Sequence, residues 1–187
     1  MWITAFNAFG GMDENPSSLV LARLAALRPE LRTVVLPTEF DAGRARLLEL
    51  PAQGLEALVM LGFDQTARAV KLEYLAQNRV HARMPDNAGL CPRDAEVVPG
   101  GPAHYASTLP LERWYDLLRR AGVPVVRSDD AGTFVCNHVF YTALHRGAAH
   151  APDTPMGFIH LPPFAALGME AQVQALCLLI DDGADLL

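Results

Sequence analysis

Apolar residues fall into short runs separated by polar, turn-rich stretches, and the runs change period along the chain. Residues 2–6 form a short apolar strand pattern. Asn15 then precedes Pro16 and the spaced leucines Leu19, Leu21, Leu24 and Leu27. That order predicts a helix with Asn15 as its cap and proline at the first position, where a missing N–H costs nothing. Residues 31–36, with Thr33, Val34 and Val35 inside, predict a second strand, and residues 42–50 a second helix. Residues 55–61 are almost continuously apolar, as a strand buried on both faces of a parallel sheet requires.

Within residues 69–78, Val70, Leu72 and Tyr74 alternate with Lys71 and Glu73, which favours a strand. A loop rich in proline and glycine spans residues 85–102. Beyond it the pattern predicts a helix over 111–121 closed by Gly122, a strand over 123–126, a helix over 136–145, a strand over 156–160 and a helix over 169–180. Strands alternating with helices, without internal repeats, indicate an α/β domain with helices on both sheet faces. No stretch of linker composition divides the chain, so residues 1–187 are read as one domain.

Composition narrows the function classes. Hydrophobic residues make up 51 % of the chain, enough for a sizeable core and too many for a disordered segment. A net charge of −6, with no basic cluster, argues against nucleic acid or an anionic membrane as the main partner. No apolar run approaches the roughly 20 residues of a membrane-spanning helix, and the first residues lack the basic start of a signal peptide. Three cysteines, Cys91, Cys136 and Cys177, are too few and too odd in number for a disulfide framework. The expectation is a soluble protein of a reducing cytoplasm.

Cys136 carries the sharpest chemical signal. It follows a small, glycine-containing turn at Asp130–Val135 and opens an apolar helix. The start of a helix favours an anion, so a thiolate there is a nucleophile at neutral pH. His160 ends a short apolar run and can stand at a strand tip facing that helix start, in reach as a general base. Cys177 lies in an apolar helical stretch and reads as a structural cysteine; Cys91 lies in a loop flanked by proline, with no base nearby. Glu73 is by default an ordinary strand carboxylate; its other role would be to hold the imidazole of His160 in one tautomer. Spacing alone leaves that choice open.

Other chemistries find less support. The histidines show no His-x-x-x-His pair and the cysteines no Cys-x-x-Cys pair, so a metal site is not expected. Phe9-Gly10-Gly11 after the first strand lacks the further glycines and the lysine of a phosphate-binding loop. It reads better as a turn that brings Phe6 and Phe9 to a pocket at the strand ends. No Gly-x-Ser-x-Gly elbow is present.

Taken in order, several segments resemble the pyroglutamyl peptidase I family of cysteine peptidases, also called pyrrolidone-carboxylate peptidases. Phe6-Asn7-Ala8-Phe9-Gly10-Gly11 followed by Asn15-Pro16-Ser17 is similar to the family's N-terminal signature. Leu72-Glu73-Tyr74-Leu75-Ala76-Gln77-Asn78 and Ala82-Arg83-Met84-Pro85-Asp86-Asn87 resemble the segment around its catalytic glutamate. Tyr105-Ala106-Ser107-Thr108-Leu109-Pro110 also has a family counterpart. Ala131-Gly132-Thr133-Phe134-Val135-Cys136-Asn137 and Gly157-Phe158-Ile159-His160-Leu161-Pro162 resemble its cysteine and histidine segments.

The resemblance implies a three-layer α/β/α sandwich around a twisted, mostly parallel sheet and a catalytic triad of Glu73, Cys136 and His160. It implies no cofactor, and a peptide substrate whose N-terminal pyroglutamyl residue is released as the free lactam. A pocket of Phe6, Phe9 and Phe134, with Phe63, suits a small, flat, uncharged ring. The chain departs from the family in the segment Gly62–Arg68, where a glycine-rich turn ending in arginine is usual. Counted back from Glu73, the arginine position holds Ala67, with Arg68 one place late, and Phe63 stands where glutamine is common. Arg68 is therefore a candidate oxyanion or substrate contact only if the backbone adjusts. These departures keep two rivals open: a weak or inactive homologue that binds an N-terminal lactam, and a cysteine amidohydrolase with a different acyl group. The chain is short for the family, so regions used for oligomer contacts are expected to be trimmed, and a homo-oligomer is left open.

Overall fold

The computed structural model describes residues 1–51 and 54–184. Six strands form one sheet in the order β2-β1-β3-β8-β4-β7. They are β1 (Trp2–Phe6), β2 (Arg32–Leu36), β3 (Leu58–Phe63), β4 (Val70–Glu73), β7 (Val125–Ser128) and β8 (Met156–Leu161). β2, β1, β3 and β8 are parallel neighbours. β4 runs antiparallel to β8, and β7 follows β4. A small antiparallel ribbon of β5 (Leu75–Gln77) and β6 (His104–Ala106) stands apart.

Helices cover both faces. α1 (Pro16–Leu27), α3 (Leu111–Arg120) and α5 (Met169–Ala184) pack together on one side. Ile3, Val59, Leu72 and Ile159 from the sheet meet Leu24, Trp114 and Leu176 from those helices. On the other side α2 (Phe40–Leu48) and α4 (Val135–His150) cover Phe6, Met60 and Phe158 with Val139 and Phe140. Successive strand residues point to opposite faces, so β3 and β8 carry apolar side chains on both faces to serve both cores, with His160 the polar residue of β8. The result is the expected single α/β domain with a mostly parallel sheet. No helix among the described residues is long and apolar enough to cross a membrane.

Local chemistry explains the element ends. Asn15 Oδ1 accepts from the Ser17 amide at 3.0 Å, and Pro16 opens α1, as the sequence predicts. α2 starts at Phe40, two residues earlier than its pattern suggests, because a remote loop supplies the cap. Asp86 Oδ2 accepts from the Phe40 amide at 2.8 Å, and Oδ1 accepts from the amides of Ala88 and Leu90. The segment read as one strand over 69–78 is two: β4 ends at Glu73, and after Tyr74 the chain leaves the sheet to form β5.

His138 lies two residues beyond Cys136 on α4, edge-on to Phe40 at 5.4 Å, and is buried. Burial, assisted by Arg44 and opposed by Asp41, pushes its imidazolium down to about 4. The unfolded chain therefore binds a proton at this histidine as pH falls through 6.5, while the folded chain does not until about 4. Stability is lost over that interval. His138→Gln should flatten the fall of Tm between pH 7 and pH 4, measured by calorimetry.

Candidate active site

The parallel strands β1 and β3 are neighbours, yet α1 leaves β1 on one face and α2 enters β3 from the other. A crevice opens at the carboxyl ends of strands where connections diverge in this way. Here it is bounded by the turn after β1, the segment after β3 and the first turn of α4. Gly10 and Gly11 take positive φ values of 65° and 81°, conformations that glycine adopts without strain, and the turn they make carries Phe9 to the crevice.

Sheet register assembles the titratable groups. In the antiparallel β4–β8 pair, Lys71 stands opposite His160 and Glu73 opposite Phe158. Directly opposed residues share a face, as do residues two apart on one strand. Lys71, Glu73, Phe158 and His160 therefore all project towards α4, where Phe158 meets Phe140 with ring centroids 5.6 Å apart. Glu73 reaches diagonally across, and its Oε1 accepts a hydrogen bond from His160 Nδ1 at 2.8 Å. Glu73 is fully buried, and among the described residues its Oε2 has no partner.

With the proton of the neutral ring held on Nδ1, Nε2 is the nitrogen left to face Cys136. Burial alone would lower the proton affinity of His160. The neighbouring Cys136 and the hydrogen-bonded Glu73 carboxylate outweigh that and push the imidazole up to about 10.

Cys136 is the second residue of α4 and is partly exposed. The cap residue Phe134 offers no side-chain acceptor, so the first amides of the helix, that of Cys136 among them, are uncapped donors. Asn137 fixes this end. Its Oδ1 accepts from the Gln77 amide, and its Nδ2 donates to the carbonyls of Gln77 and Arg79, at 2.9–3.0 Å. The buried amide thus pins the start of α4 to β5.

Cys136 and His160 open onto a cleft of about 520 Å³ whose apolar wall includes Phe6, Phe9, Phe63 and Phe134. Phe134 stacks at a tilt on Phe9, with centroids 5.0 Å apart, and meets Phe40 edge-on at 5.2 Å. All four phenylalanines singled out in the sequence line this cleft, and Glu73 stands behind His160. Arg68 does not join them: it is exposed and is not among the lining residues. Asp64 Oδ1 accepts from the amide and hydroxyl of Thr66, and the Ala67 amide donates to the Asp64 carbonyl. This tight turn buries Ala67 and leaves Arg68 outside. Arg68→Ala should therefore change kcat/KM less than about twofold, as for surface changes away from any site.

Three features escaped the sequence reading. The role of Asn137 was hidden because its partners lie about 60 residues away. An ion pair between Lys71 Nζ and Asp64 Oδ2, at 2.6 Å, forms part of the cleft wall. Alternation with Glu73 could have placed Lys71 on this face; nothing in the spacing pointed to Asp64. The third is Gly62, where an added Cβ would come within 2.7 Å of the Phe158 ring and 2.9 Å of His160 Cδ2. Gly62→Ala should displace the imidazole and lower kcat on the order of 10²-fold, the cost of a small misplacement, with a smaller effect on KM.

Among the described residues no group of three His, Cys, Asp or Glu side chains is placed to hold a metal ion. What the cleft offers is a thiol at an uncapped helix start, an imidazole beside it, a buried carboxylate behind that, and an aromatic wall.

Known proteins are similar to this chain in sequence and in fold. The family model described as pyroglutamyl peptidase matches residues 1–178. A pyrrolidone-carboxylate peptidase of Escherichia fergusonii is 41 % identical over 165 residues, covering 86 % of this chain and 76 % of the relative. Among solved structures, a mutant pyrrolidone carboxyl peptidase from Pyrococcus furiosus superposes with a TM-score of 0.92 at 27 % identity, over 100 % of this chain and 98 % of the other. Pyroglutamyl peptidase I of Bacillus amyloliquefaciens gives 0.88 at 32 % identity, over 95 % and 93 %.

Proposed function

The chain belongs to the pyroglutamyl peptidase family and is a cysteine omega peptidase, and from that premise we propose that it releases N-terminal pyroglutamate from peptides through Cys136, His160 and Glu73. The observation that carries the reading is the line of groups from the fully buried Glu73, through the 2.8 Å bond to His160 Nδ1, to Cys136 at the open start of α4.

His160 Nε2 holds the proton given up by the Cys136 thiol and keeps it through neutral pH, and the sulfur attacks the pyroglutamyl carbonyl. Charge develops on the carbonyl oxygen, and the uncapped amide of Cys136, on the residue that bears the attacking sulfur, is the first donor for it. Collapse of the tetrahedral species breaks the C–N bond, with the His160 proton moving to the departing amine. Water, deprotonated by His160, then cleaves the thioester, and the thiol regains its proton. Glu73 keeps the imidazole in the tautomer that serves both transfers and stabilises its positive charge. The substrates are peptides with N-terminal pyroglutamate, and the protein acts in the cytoplasm, where a free thiol persists.

The test is turnover of a chromogenic pyroglutamyl anilide by the purified protein. Release of the chromophore, abolished by prior alkylation with iodoacetamide, supports the reading. No release, or release indifferent to alkylation, rejects it.

A further inference from the structure

The polar groups of the cleft differ in how much hydrogen-bonding capacity they have left. Asn15 uses Oδ1 for Ser17 and Nδ2 for the Asn7 carbonyl. Thr38 is tied through its amide and hydroxyl to Asn7. Lys71 Nζ, among the described residues, meets only Asp64 Oδ2, at 2.6 Å. An ammonium has three donors, so two remain. The Asp64 carboxylate spends Oδ1 on Thr66 and one direction of Oδ2 on Lys71, which leaves acceptor capacity beside that donor.

Both members are mostly shielded, with side chains 28 % and 20 % exposed, and both line the cleft that holds Cys136 and His160. A fully exposed pair would contribute little; one set into a cleft wall and half-desolvated is a stronger recognition element. Burial pushes the Asp64 carboxyl up, but the bonds from Lys71 and Thr66 outweigh it and hold the group down to about 2. Lys71 is held above its ordinary range by its bond to Asp64. The pair keeps its charges throughout the neutral range.

A five-membered lactam presents its ring N–H and ring C=O side by side on one edge, so it needs an acceptor next to a donor. Resting on the pyroglutamyl reading above, we infer that the Asp64–Lys71 pair is the element of the cleft that reads this edge. Lys71 donates to the ring carbonyl, Asp64 accepts the ring N–H, and the phenylalanines cover the ring faces. Asp64, in the segment between β3 and β4, and Lys71, on β4, thus place a charged recognition pair in the cleft wall. A ring lacking the carbonyl or the N–H leaves one hydrogen-bonding position of the pair unmet, and sites with committed polar groups discriminate strongly against such analogues.

The experiment uses the whole protein and does not depend on turnover. Cys136 is alkylated with iodoacetamide in the presence of increasing 2-pyrrolidinone, which has the whole lactam edge, or cyclopentanone, which has the carbonyl without the N–H. Each protection constant is taken relative to the same variant's unprotected rate. Lys71→Met should weaken protection by 2-pyrrolidinone on the order of 10- to 100-fold, the scale of a lost charged hydrogen bond, while Lys71→Arg should stay within a few-fold. Asp64→Ala should erase the preference for 2-pyrrolidinone over cyclopentanone, and Asp64→Asn, which keeps the Thr66 turn and one acceptor, should restore part of it. Unchanged constants in Lys71→Met overturn the inference. So does equal weakening of both probes in Asp64→Ala, the signature of a pair that only shapes the loop. If the protection pattern holds while the pyroglutamyl anilide is not turned over, the peptidase reading fails and the lactam subsite stands.

Discussion

Cys136→Ala is expected to lower turnover of a pyroglutamyl anilide on the order of 10⁴-fold or more, the scale seen when a covalent nucleophile is removed, with Tm unchanged within a few degrees. The side chain is partly exposed at the cleft and makes no hydrogen bond on which the helix depends, since α4 is anchored through Asn137 instead. The other two cysteines provide the contrast. Cys91 is partly buried, and its Sγ donates only a long 3.5 Å bond to the Ala82 carbonyl. Cys177 is partly buried against the core formed by α1, α3 and α5. Their alanine variants should keep most of the activity and lose about 1 kcal/mol of stability or less. Substantial turnover by Cys136→Ala, or iodoacetamide inactivation that tracks Cys91, would reject the thiol mechanism.

The sequence was most legible where burial and local chemistry coincide. Asn15 and Pro16 marked the start of α1 because both cap and first-turn preferences are local. The apolar runs of β1 and β8 were read correctly because those strands are buried on both faces. Boundaries failed where pairing rather than hydropathy decides them. β3 begins at Leu58 and continues through Gly62 and Phe63, because β8 pairs with it as far as His160 and Leu161. The edge strand β7 runs on to Arg127 and Ser128, polar residues held by β4 rather than by burial. The helix expected over 136–145 begins at Val135 and extends to His150, past Gly147, where its pattern weakens.

The same distinction separates the parts of the site. Cys136, His160 and Glu73 are proposed from local signals and from resemblance to a family, and the fold brings Glu73 to His160. The turn that buries Ala67 and exposes Arg68 was not foreseen, because it depends on the Asp64 carboxylate capping Thr66 and pairing with Lys71, seven residues further on. Counting positions puts Ala67 in the arginine place and keeps Arg68 a candidate only if the backbone adjusts; the hydrogen bonds of the turn make no such adjustment and leave Arg68 outside.

Glu73→Gln is the second change with a large expected effect, and it separates the roles of the carboxylate and the imidazole. In the native protein Glu73 Oε1 accepts from Nδ1, which leaves Nε2 as the nitrogen that holds the thiol proton and later gives it to the leaving amine. A glutamine can present its NH₂ group to Nδ1, which then becomes an acceptor and moves the ring proton to Nε2, the wrong tautomer for a base. A loss in kcat on the order of 10²- to 10⁴-fold follows, with KM little changed. The pH profile should move as well. Cys136 and Glu73 together push His160 up to about 10, so the imidazolium that protonates the leaving amine persists through neutral pH and disappears as pH rises through about 10. The alkaline limb of kcat/KM in the native enzyme should fall there. Removing the negative charge of Glu73 removes part of that upward push, so the limb in Glu73→Gln should shift towards lower pH. The losses in Glu73→Gln and His160→Ala should not add in the double variant, because a carboxylate that acts only through the imidazole has nothing left to orient once the ring is gone. Additive losses, or an alkaline limb that stays in place, would show that Glu73 serves the packing of β4 against β8 rather than the chemistry at Cys136.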